Sequence, residues 1–251
     1  MSGRVAIVVG AGGGLGSACV HRLAADGYTV AACDLDRGKL AAATEALATP
    51  CFLQEMDVTE EHSVSSAFDT IESSLGPAAC LICCAGGTLA RQDRQRSIAE
   101  TPLSDWIATE ALNGRGSFLC TREMLRRRCA HPMPEGRIIL VSSAAAQRPA
   151  IAAGVAYAAA KAGVIALARV AAVEAAPLGM TVNVIAPGGF DTAAYHVTTR
   201  PGQMDQQIAG IPVARLGQPT EFAALVSFLV SEQASYLTGA TIDLNGGSRM
   251  A

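Results

Sequence analysis

The chain has 251 residues, of which half are hydrophobic and only 16% are charged, which suits one large α/β domain with a sizeable core. A formal net charge of −3 provides no general attraction for nucleic acid or for an anionic membrane. No uninterrupted apolar run approaches the length of a membrane-spanning helix, and the N-terminus turns into a glycine loop without a signal-peptide cleavage pattern. We therefore expect neither nucleic acid nor a membrane as a partner.

Segments with strand-like and helix-like patterns alternate from one end of the chain to the other. Apolar runs predict strands at 4–10, 28–34, 51–57, 78–86, 137–143, 180–189 and 240–245. Helices are predicted at 14–26, 36–48, 60–75, 155–176 and 219–231, with two more over 103–131. This alternation implies right-handed crossovers and a parallel sheet of seven strands with helices on both faces. We therefore predict an α/β fold in which residues 1–251 form a single doubly wound domain.

A cluster of glycines directly follows the first strand and opens the first helix. Gly10, Gly14 and Gly16 form the spacing G-x-x-x-G-x-G, with Leu15 between the last two. Glycines at these positions permit a tight turn and let the backbone approach a pyrophosphate. The N-terminus of the helix offers unpaired N–H groups and a partial positive charge to phosphates. This glycine loop, residues 10–16, predicts a dinucleotide site more than a plain flexible turn.

An acidic residue, Asp34, ends the second strand, 24 residues after Gly10. A carboxylate there can accept hydrogen bonds from both hydroxyls of an adenosine ribose, and it repels a 2′-phosphate. The next residue is Leu35, and Gly13 places no basic side chain in the glycine loop; Arg37 follows closely but suits a solvated helix position. We therefore expect NAD over NADP. A turn or helix-capping role for Asp34 is the alternative.

All eight cysteines lie between positions 19 and 129. Cys80, Cys83 and Cys84 fall on the fourth predicted strand, where neighbouring side chains point to opposite faces. The C-x-x-C spacing of Cys80 and Cys83 allows a metal or redox interpretation, but no second pair or histidine cluster completes a site. We expect buried thiols, no metal, and a reducing, cytoplasmic setting.

The helix predicted over 155–176 carries Tyr157 and, four residues later, Lys161, one of only two lysines in the chain. Residues with this spacing share one helix face. An ammonium close to a phenol lowers the pKa of the tyrosine, which would let Tyr157 exchange a proton with an alcohol or a ketone near neutral pH. The alternative is a purely structural role, in which Tyr157 packs against its neighbours and the ammonium of Lys161 extends to solvent.

One long stretch, residues 190–217, has no regular pattern. A loop of that length in a compact domain is more often a lid or a binding loop than a simple connection. We expect it to bind the substrate, with Tyr195, His196 and Met204 as candidates to line a pocket. The three arginines within 89–96 could meet an anionic substrate, or they could belong to a solvated loop.

Several motifs occur together in an order that resembles the classical short-chain dehydrogenase/reductase family. They are GAGGGLG, MDVT, CCAGG, LNGRGSF, ILVSS, YAAAK, VIAPGGFDT and the closing YLTGATIDLNGG. The resemblance covers essentially the whole chain, and several ordered motifs are far more specific than one. It implies a Rossmann-type domain, hydride transfer with a nicotinamide cofactor, and a homo-oligomer, either a dimer or a tetramer.

The resemblance also implies roles for the catalytic residues. Tyr157 would be the general acid/base, and Lys161 would lower its pKa and hold the nicotinamide ribose. A serine after the fifth strand would bond the substrate oxygen and stabilise its developing charge. The family usually places that serine thirteen residues before the tyrosine, where this chain has Ala144. Ser143 is the closer candidate, and Ser142 is the second one.

A helix asparagine and the cofactor contacts are carried over in the same way. Asn113 matches the asparagine that positions a water in the family's proton relay; an ordinary polar residue at a helix break is the alternative. Cys83 and Cys84 replace the family's usual Asn-Asn, and Val9 replaces the usual threonine, and we expect these changes to be tolerated. The expected cofactor-binding set is Gly10, Gly14, Leu15, Gly16, Asp34, Asp57, Val58, Ala85, Gly86, Tyr157, Lys161, Pro187, Gly188 and Thr192.

Together these features predict an oxidoreductase that transfers a hydride between NAD(H) and a small secondary alcohol or ketone. The main alternative is an NADP-linked ketone reductase of the 3-oxoacyl type. Two less favoured functions are a catalytically idle protein that senses NAD and an S-adenosylmethionine-dependent methyltransferase, and the Y-x-x-x-K helix argues against the methyltransferase. The sequence leaves open the substrate and the choice between dimer and tetramer.

Overall fold

The computed structural model describes residues 3–88, 97–133, 135–199 and 201–250, so the arginine-rich stretch 89–96 lies outside the described residues. Within them, the sheet has the order β3-β2-β1-β4-β5-β6-β7, and every neighbouring pair is parallel. The order reverses between β1 and β4, as in a doubly wound fold. The predicted parallel seven-stranded sheet is confirmed. Its strands are Val5–Val9 (β1), Thr29–Asp34 (β2), Phe52–Glu55 (β3), Ala78–Cys83 (β4), Arg137–Val141 (β5), Thr181–Pro187 (β6) and Thr241–Leu244 (β7).

Helices cover both faces of this sheet. One apolar core lies between the sheet and α3, α5 and α6; the other lies between the sheet and α1, α2 and α9. The central strands β1, β4, β5 and β6 are buried along their whole length, which explains why they are apolar without alternation. The α-helices are Gly14–Ala25 (α1), Arg37–Thr44 (α2), Glu61–Leu75 (α3), Leu103–Glu110 (α4), Gly116–Ala130 (α5), Val155–Ala175 (α6), Ala193–Thr198 (α7), Pro201–Ala209 (α8) and Pro219–Val230 (α9).

Helices α4 and α5 are joined by a π-helical turn, Ala111–Arg115, and not by a loop. The two helices predicted over 103–131 therefore form one continuous helical rod with a wide turn in its middle. Such π-bulges occur frequently at functional sites. Here the widened turn carries Asn113, whose side chain is fully buried.

The segment 190–217 differs from its prediction as a stretch without regular structure. It contains α7 and α8, so that prediction was wrong for about half of the segment. The Thr192 side chain caps α7 by accepting a hydrogen bond from the N–H of Tyr195, and Pro201 opens α8. Asp191 N donates to Gly217 O, which ties the two ends of the segment together.

The fourth strand separates the two cysteines of the C-x-x-C motif. Cys80 belongs to the core beside α1 and α9, whereas Cys83 belongs to the core beside α5 and α6. Because they lie on opposite faces of the sheet, these two thiols do not form a common metal site. Within the described residues, no group of three or more histidines, cysteines or carboxylates is placed to hold a metal ion.

Helix α6, extended by the turn that follows it, is long and apolar enough to cross a membrane by length and composition alone. In the fold it packs against β6, and it buries Ala160, Lys161, Val164 and Ala168. A core helix of a folded domain passes the same length and composition test. We therefore interpret α6 as a core helix of this domain.

Candidate active site

The carboxyl ends of the parallel strands meet at one edge of the sheet, and a cavity of about 640 Å³ opens there. This is the edge at which doubly wound sheets bind their ligands. The cavity is lined by Leu15 of the glycine loop, by residues that follow β4, β5 and β6, and by the segment 190–217. Of the predicted site residues and candidates, the following line it: Leu15, Gly86, Ser142, Ser143, Tyr157, Lys161, Pro187, Gly188, Thr192 and Tyr195.

The glycine loop is shaped by close backbone approaches that exclude side chains. A Cβ atom on Gly10, where φ is +77°, would lie 2.5 Å from the backbone nitrogen of Ala85. A Cβ atom on Gly16 would lie 2.1 Å from the carbonyl oxygen of Gly10, so α1 could not pack this closely with any other residue there. No side chain caps α1 at Gly13, and no acidic residue lies in its first turn. This helix terminus therefore suits an anionic ligand such as a pyrophosphate.

Asp34 lies directly beside this loop. Its Oδ2 accepts a hydrogen bond from Gly12 N at 3.0 Å, and its Oδ1 accepts one from Asp36 N at 3.1 Å. The second bond is the turn-forming role that the sequence left as an alternative, so the side chain serves the turn and still faces the loop. Two cations are close in the chain: Arg37 is exposed, and Lys39 lies 3.8 Å from Asp36 in an ion pair.

The expected adenine contacts, Asp57 and Val58, follow β3. The Asp57 carboxylate accepts hydrogen bonds from Thr59 N at 2.8 Å and from Thr59 Oγ1 at 2.7 Å. Val58 is buried, and its Cγ2 would lie 2.8 Å from a Cβ atom on Gly116, so only a glycine lets α5 approach this turn. Asp57 and Val58 are thereby fixed in position at the carboxyl edge.

Cys84 occupies one of the two positions where the family has asparagine, and it lines the cavity. Its backbone N–H donates to Val9 O at 2.8 Å, so the join between β1 and β4 is kept without a side-chain amide. The thiol of Cys84 lies beside Cys19, and that of Cys83 lies beside Cys120. The cysteines thus replace the polar asparagines with packed thiols.

The two serines after β5 have different partners. Ser142 is buried, and its Oγ donates to the carbonyl oxygen of Lys161 at 2.7 Å, which ties β5 to α6. Ser143 is half-buried and hydrogen-bonds to Tyr157, and its Oγ also accepts from Ala145 N at 3.1 Å. The structure therefore brings Ser143, and not Ser142, together with the tyrosine hydroxyl.

Lys161 is fully inside the protein, where its Nζ donates to Val141 O at 2.8 Å and lies 5.8 Å from the centre of the Tyr157 ring. Burial lowers the pKa of Lys161 to about 8. Burial also raises the pKa of Tyr157, and the hydrogen bond from Ser143 opposes that rise. The role of Lys161 in lowering the tyrosine pKa stays a prediction; in the protein without cofactor, its ammonium donates to Val141 O.

Both the oxygen and the nitrogen of the Asn113 side-chain amide make hydrogen bonds to the backbone. Its Oδ1 accepts from Gly87 N at 3.0 Å, and its Nδ2 donates to Gly87 O at 3.0 Å and to Thr109 O at 2.9 Å. A Cβ atom on Gly86 would lie 2.6 Å from Asn113 Oδ1 and 2.8 Å from Lys161 Nζ. Asn113 and Lys161 therefore converge on Gly86.

The turn after β6 closes the remaining side of the cavity. Gly188 N donates to Leu244 O at 3.0 Å, which fixes the turn against β7. A Cβ atom on Gly14 would lie 2.8 Å from the Thr192 methyl group, so the start of α7 touches the start of α1. Pro187, Gly188 and Thr192 thus form a wall between the glycine loop and Tyr157.

The three candidates in the segment 190–217 have different positions. Tyr195 lines the cavity, and its hydroxyl donates to Gln207 Oε1. His196 is turned away and lies 2.6 Å from Asp191 Oδ1. Met204 is not among the described residues that line the cavity.

The lining residues that the sequence did not indicate include two with polar side chains, Gln207 and Arg148. Gln207 lies on a helix that was not predicted. Arg148 comes five residues after Ser143, and only this proximity to a strand end could have indicated it.

The residues present fit a bound dinucleotide. The glycine loop leaves space that any side chain on Gly10 or Gly16 would fill, and the N-terminus of α1 beside it has no side-chain cap. Asp34 contacts the same loop and could bind a ribose. Leu15, Gly188 and Thr192 would hold the nicotinamide, and they line the same cavity as Ser143 and Tyr157. The arrangement can hold a carbonyl or hydroxyl oxygen between those two side chains and exchange a proton with it.

Comparison with known proteins supports this interpretation. Residues 10–249 match the family model described as Enoyl-(Acyl carrier protein) reductase. The chain is 37% identical to nodulation protein G of Azospirillum brasilense, with 98% of each chain covered. It is 33% identical to 2-dehydro-3-deoxy-L-rhamnonate dehydrogenase (NAD(+)) of Sphingomonas sp. strain SKA58, with 98% of this chain and 95% of that one covered. The solved structure of gox2181 is 31% identical, with a TM-score of 0.91 over 99% of this chain and 96% of that one. The chain belongs to the classical short-chain dehydrogenase/reductase family, and it is an oxidoreductase by descent.

Proposed function

We propose that this protein is an NAD-linked dehydrogenase that interconverts a secondary alcohol and the corresponding ketone. The observation that carries the proposal is the cluster of Ser143, Tyr157, Lys161 and Asn113 beside the glycine loop. A protein that only sensed NAD would need the loop and Asp34 but not this cluster.

The cofactor, when bound, supplies the acceptor or the donor of the hydride. The remaining chemistry belongs to this chain. The Ser143 hydroxyl donates to the substrate oxygen and stabilises charge that develops there. Tyr157 takes the hydroxyl proton in oxidation and returns it in reduction.

Lys161 has a supporting role in the proposal. When charged, its ammonium favours the ionised form of Tyr157 electrostatically from inside a site of low dielectric. Asn113 fixes the loop at Gly87 and shares the space around Gly86 with that ammonium. Together these two residues place a single positive charge behind the phenol.

The preference for NAD is supported by Asp34. Its carboxylate faces the glycine loop, where it can accept hydrogen bonds from ribose hydroxyls and repel a 2′-phosphate. A relative named as an NAD(+) dehydrogenase is consistent with this preference. The runner-up is an NADP-linked ketone reductase, which the nearby cations Arg37 and Lys39 favour.

The test is the change in nicotinamide absorbance with purified protein, NAD or NADP, and a panel of secondary alcohols and ketones. Wild-type protein should turn over at least one alcohol with NAD, and Tyr157→Phe should lower kcat by about a thousandfold or more. Tyr28→Phe is a matched control, because Tyr28 is buried beside α9 and its hydroxyl donates to Val230 O, far from the site. Near-normal turnover by Tyr157→Phe would refute the mechanism.

We also propose a homo-oligomer in the cytoplasm. The buried thiols suit a reducing compartment. Exposed apolar side chains on α4 and α6 are candidates for a subunit interface; they are Leu103, Trp106, Ile107, Val170 and Val173. Sedimentation analysis should give a dimer or a tetramer, and Val173→Glu should shift the distribution toward monomer.

A further inference from the structure

The charges that line the cavity are all of one sign. Two cationic side chains, Lys161 and Arg148, are among the described residues that line it, and no aspartate or glutamate is among them. Lys161 lies deep in the site beside Tyr157 and has a role there already. Arg148 has none, since neither the cofactor nor the proton transfer requires it.

Arg148 lies in the connection between β5 and α6, at the exposed side of the cavity. The only hydrogen bond found for it in the described chain is a long one, from Nη1 to Ser248 O at 3.5 Å. No carboxylate within the described residues pairs with it, whereas several other arginines, such as Arg127 and Arg215, have carboxylate partners. A guanidinium without a counter-ion at a cavity wall is available to a ligand.

Polar groups from the segment 190–217 lie near this guanidinium. Tyr195 and Arg148 line the same cavity. Burial raises the pKa of Tyr195, and a hydrogen bond with Thr199 and the positive charge of Arg148 oppose that rise. The Tyr195 hydroxyl donates to Gln207, which also lines the cavity. The guanidinium of Arg148 and the amide of Gln207 therefore provide donors on the cavity wall.

We propose that Arg148 determines substrate specificity by binding a carboxylate, and that the substrate is a small hydroxy acid or the corresponding oxo acid. This inference rests on the proposed function and names its substrate class. A carboxylate matches the planar guanidinium fork in two parallel hydrogen bonds. The cavity of about 640 Å³ also has to hold the nicotinamide, which leaves room for a short acid.

The experiment compares acids with their neutral esters. Hydroxy acids of three to six carbons that carry a secondary hydroxyl at C2, C3 or C4 are assayed with NAD beside their methyl esters. For the best acid, wild-type protein should show a kcat/KM at least about tenfold above that of its ester. In Arg148→Gln this ratio should fall to near one, mainly through a higher KM for the acid. Arg148→Lys should lie between the two, because it keeps the charge and loses the fork.

Two controls keep the outcome interpretable. Arg126→Gln removes an exposed arginine of α5 and should leave the acid-to-ester ratio unchanged. The rise in Tm caused by NAD should be equal in wild type and Arg148→Gln, which shows that the variant is folded and binds cofactor. Butanoate, which cannot be oxidised at a hydroxyl, should raise the Tm of the wild-type protein with NAD more than butanamide does.

The possible failures are distinguishable. Esters turned over as well as acids, or an unchanged ratio in Arg148→Gln, would overturn the carboxylate assignment and leave the dehydrogenase standing. A preference for the coenzyme A thioester over the free acid would also overturn it. Absence of turnover with every alcohol in a protein that binds NAD would overturn the proposed function and this inference with it.

Discussion

Ser142 Oγ donates a hydrogen bond of 2.7 Å to the carbonyl oxygen of Lys161, so the first serine after β5 ties this strand to α6. Its neighbour Ser143 bonds to Tyr157 instead. Adjacent residues of an extended chain point in opposite directions, which gives these two hydroxyls different partners. The two serines should therefore be separable by mutation.

Ser143→Ala should lower kcat by about a hundredfold to a thousandfold, because it removes a donor to the substrate oxygen. Its thermal stability should change little, since the side chain is only half-buried. Ser142→Ala should lose about 1 kcal/mol of stability with the buried bond and keep most of its activity. Paired measurements of kcat and of urea unfolding decide this, and a catalytic loss that is larger in Ser142→Ala would reverse the assignment.

Lys161 should make the stability of the cofactor-free protein depend on pH. Its pKa is about 8 in the folded chain against an ordinary value of 10.5. Below pH 8 Lys161 is charged in the folded and in the unfolded chain, so the folded protein carries the full free-energy cost of burying the charge. Between pH 8 and pH 10.5 the unfolded chain binds more protons than the folded one, so the contribution of Lys161 to the free energy of unfolding rises with pH.

Lys161→Met should therefore be more stable than wild type near pH 7, by up to about 3 kcal/mol, and the difference should shrink as the pH rises above 8. Urea unfolding of both proteins from pH 7 to pH 9 measures this. Burial raises the pKa of the Cys80 thiol to about 11, so buried thiols of this kind lower the stability of the folded protein as the pH rises above 9. Both proteins contain these thiols, so the difference in stability between them is not affected. A constant difference across this interval would show that Lys161 does not titrate there.

Asp34 should control the choice of cofactor. Asp34→Ser removes the charge that repels a 2′-phosphate, and leaves the cations Arg37 and Lys39, which follow it closely in the chain. The ratio of kcat/KM for NAD to that for NADP should fall by about a hundredfold, mostly through KM. Steady-state kinetics with both cofactors measure it.

The control for this prediction is Asp36→Ser. It removes a neighbouring carboxylate but keeps a hydroxyl that can cap α2, as the carboxylate does by accepting from Lys39 N. The KM for NAD should stay nearly unchanged in this variant. An equal loss of NAD affinity in both variants would mean that general charge, and not a ribose contact, sets the preference.

The sequence predicted the sheet well, because its signals are local. The apolar runs of β1, β4, β5 and β6 are buried on both faces. Gly16 is required by a contact with Gly10 in the same loop, whereas the contact of Gly10 with Ala85, after the neighbouring strand β4, is distant in the chain. Strand-helix alternation then leaves few possible topologies. Strand positions and the glycine loop were therefore predictable.

The parts that were not predicted depend on contacts between distant segments. Helices α7 and α8 are short and polar, so their periodicity is weak, and they are held between β6 and β7. The direction of the Lys161 ammonium depends on Val141 O, which is 20 positions away. The isolation of Arg148 from any carboxylate of the described chain is a property of the folded surface, and no local pattern in the sequence encodes it.

Gly86 should be required because Asn113 and Lys161 occupy the space where a side chain would stand. A Cβ atom there would lie 2.6 Å from Asn113 Oδ1 and 2.8 Å from Lys161 Nζ, and φ is +147°, a value that glycine favours. Gly86→Ala should therefore displace the ammonium from behind Tyr157 and lower kcat at least about a hundredfold. Gly163→Ala is the matched control: nothing lies within 4 Å of its Cβ position on α6, so it should keep activity and gain up to about 1 kcal/mol of stability. Equal activity of the two variants would show that the convergence on Gly86 is not needed for catalysis.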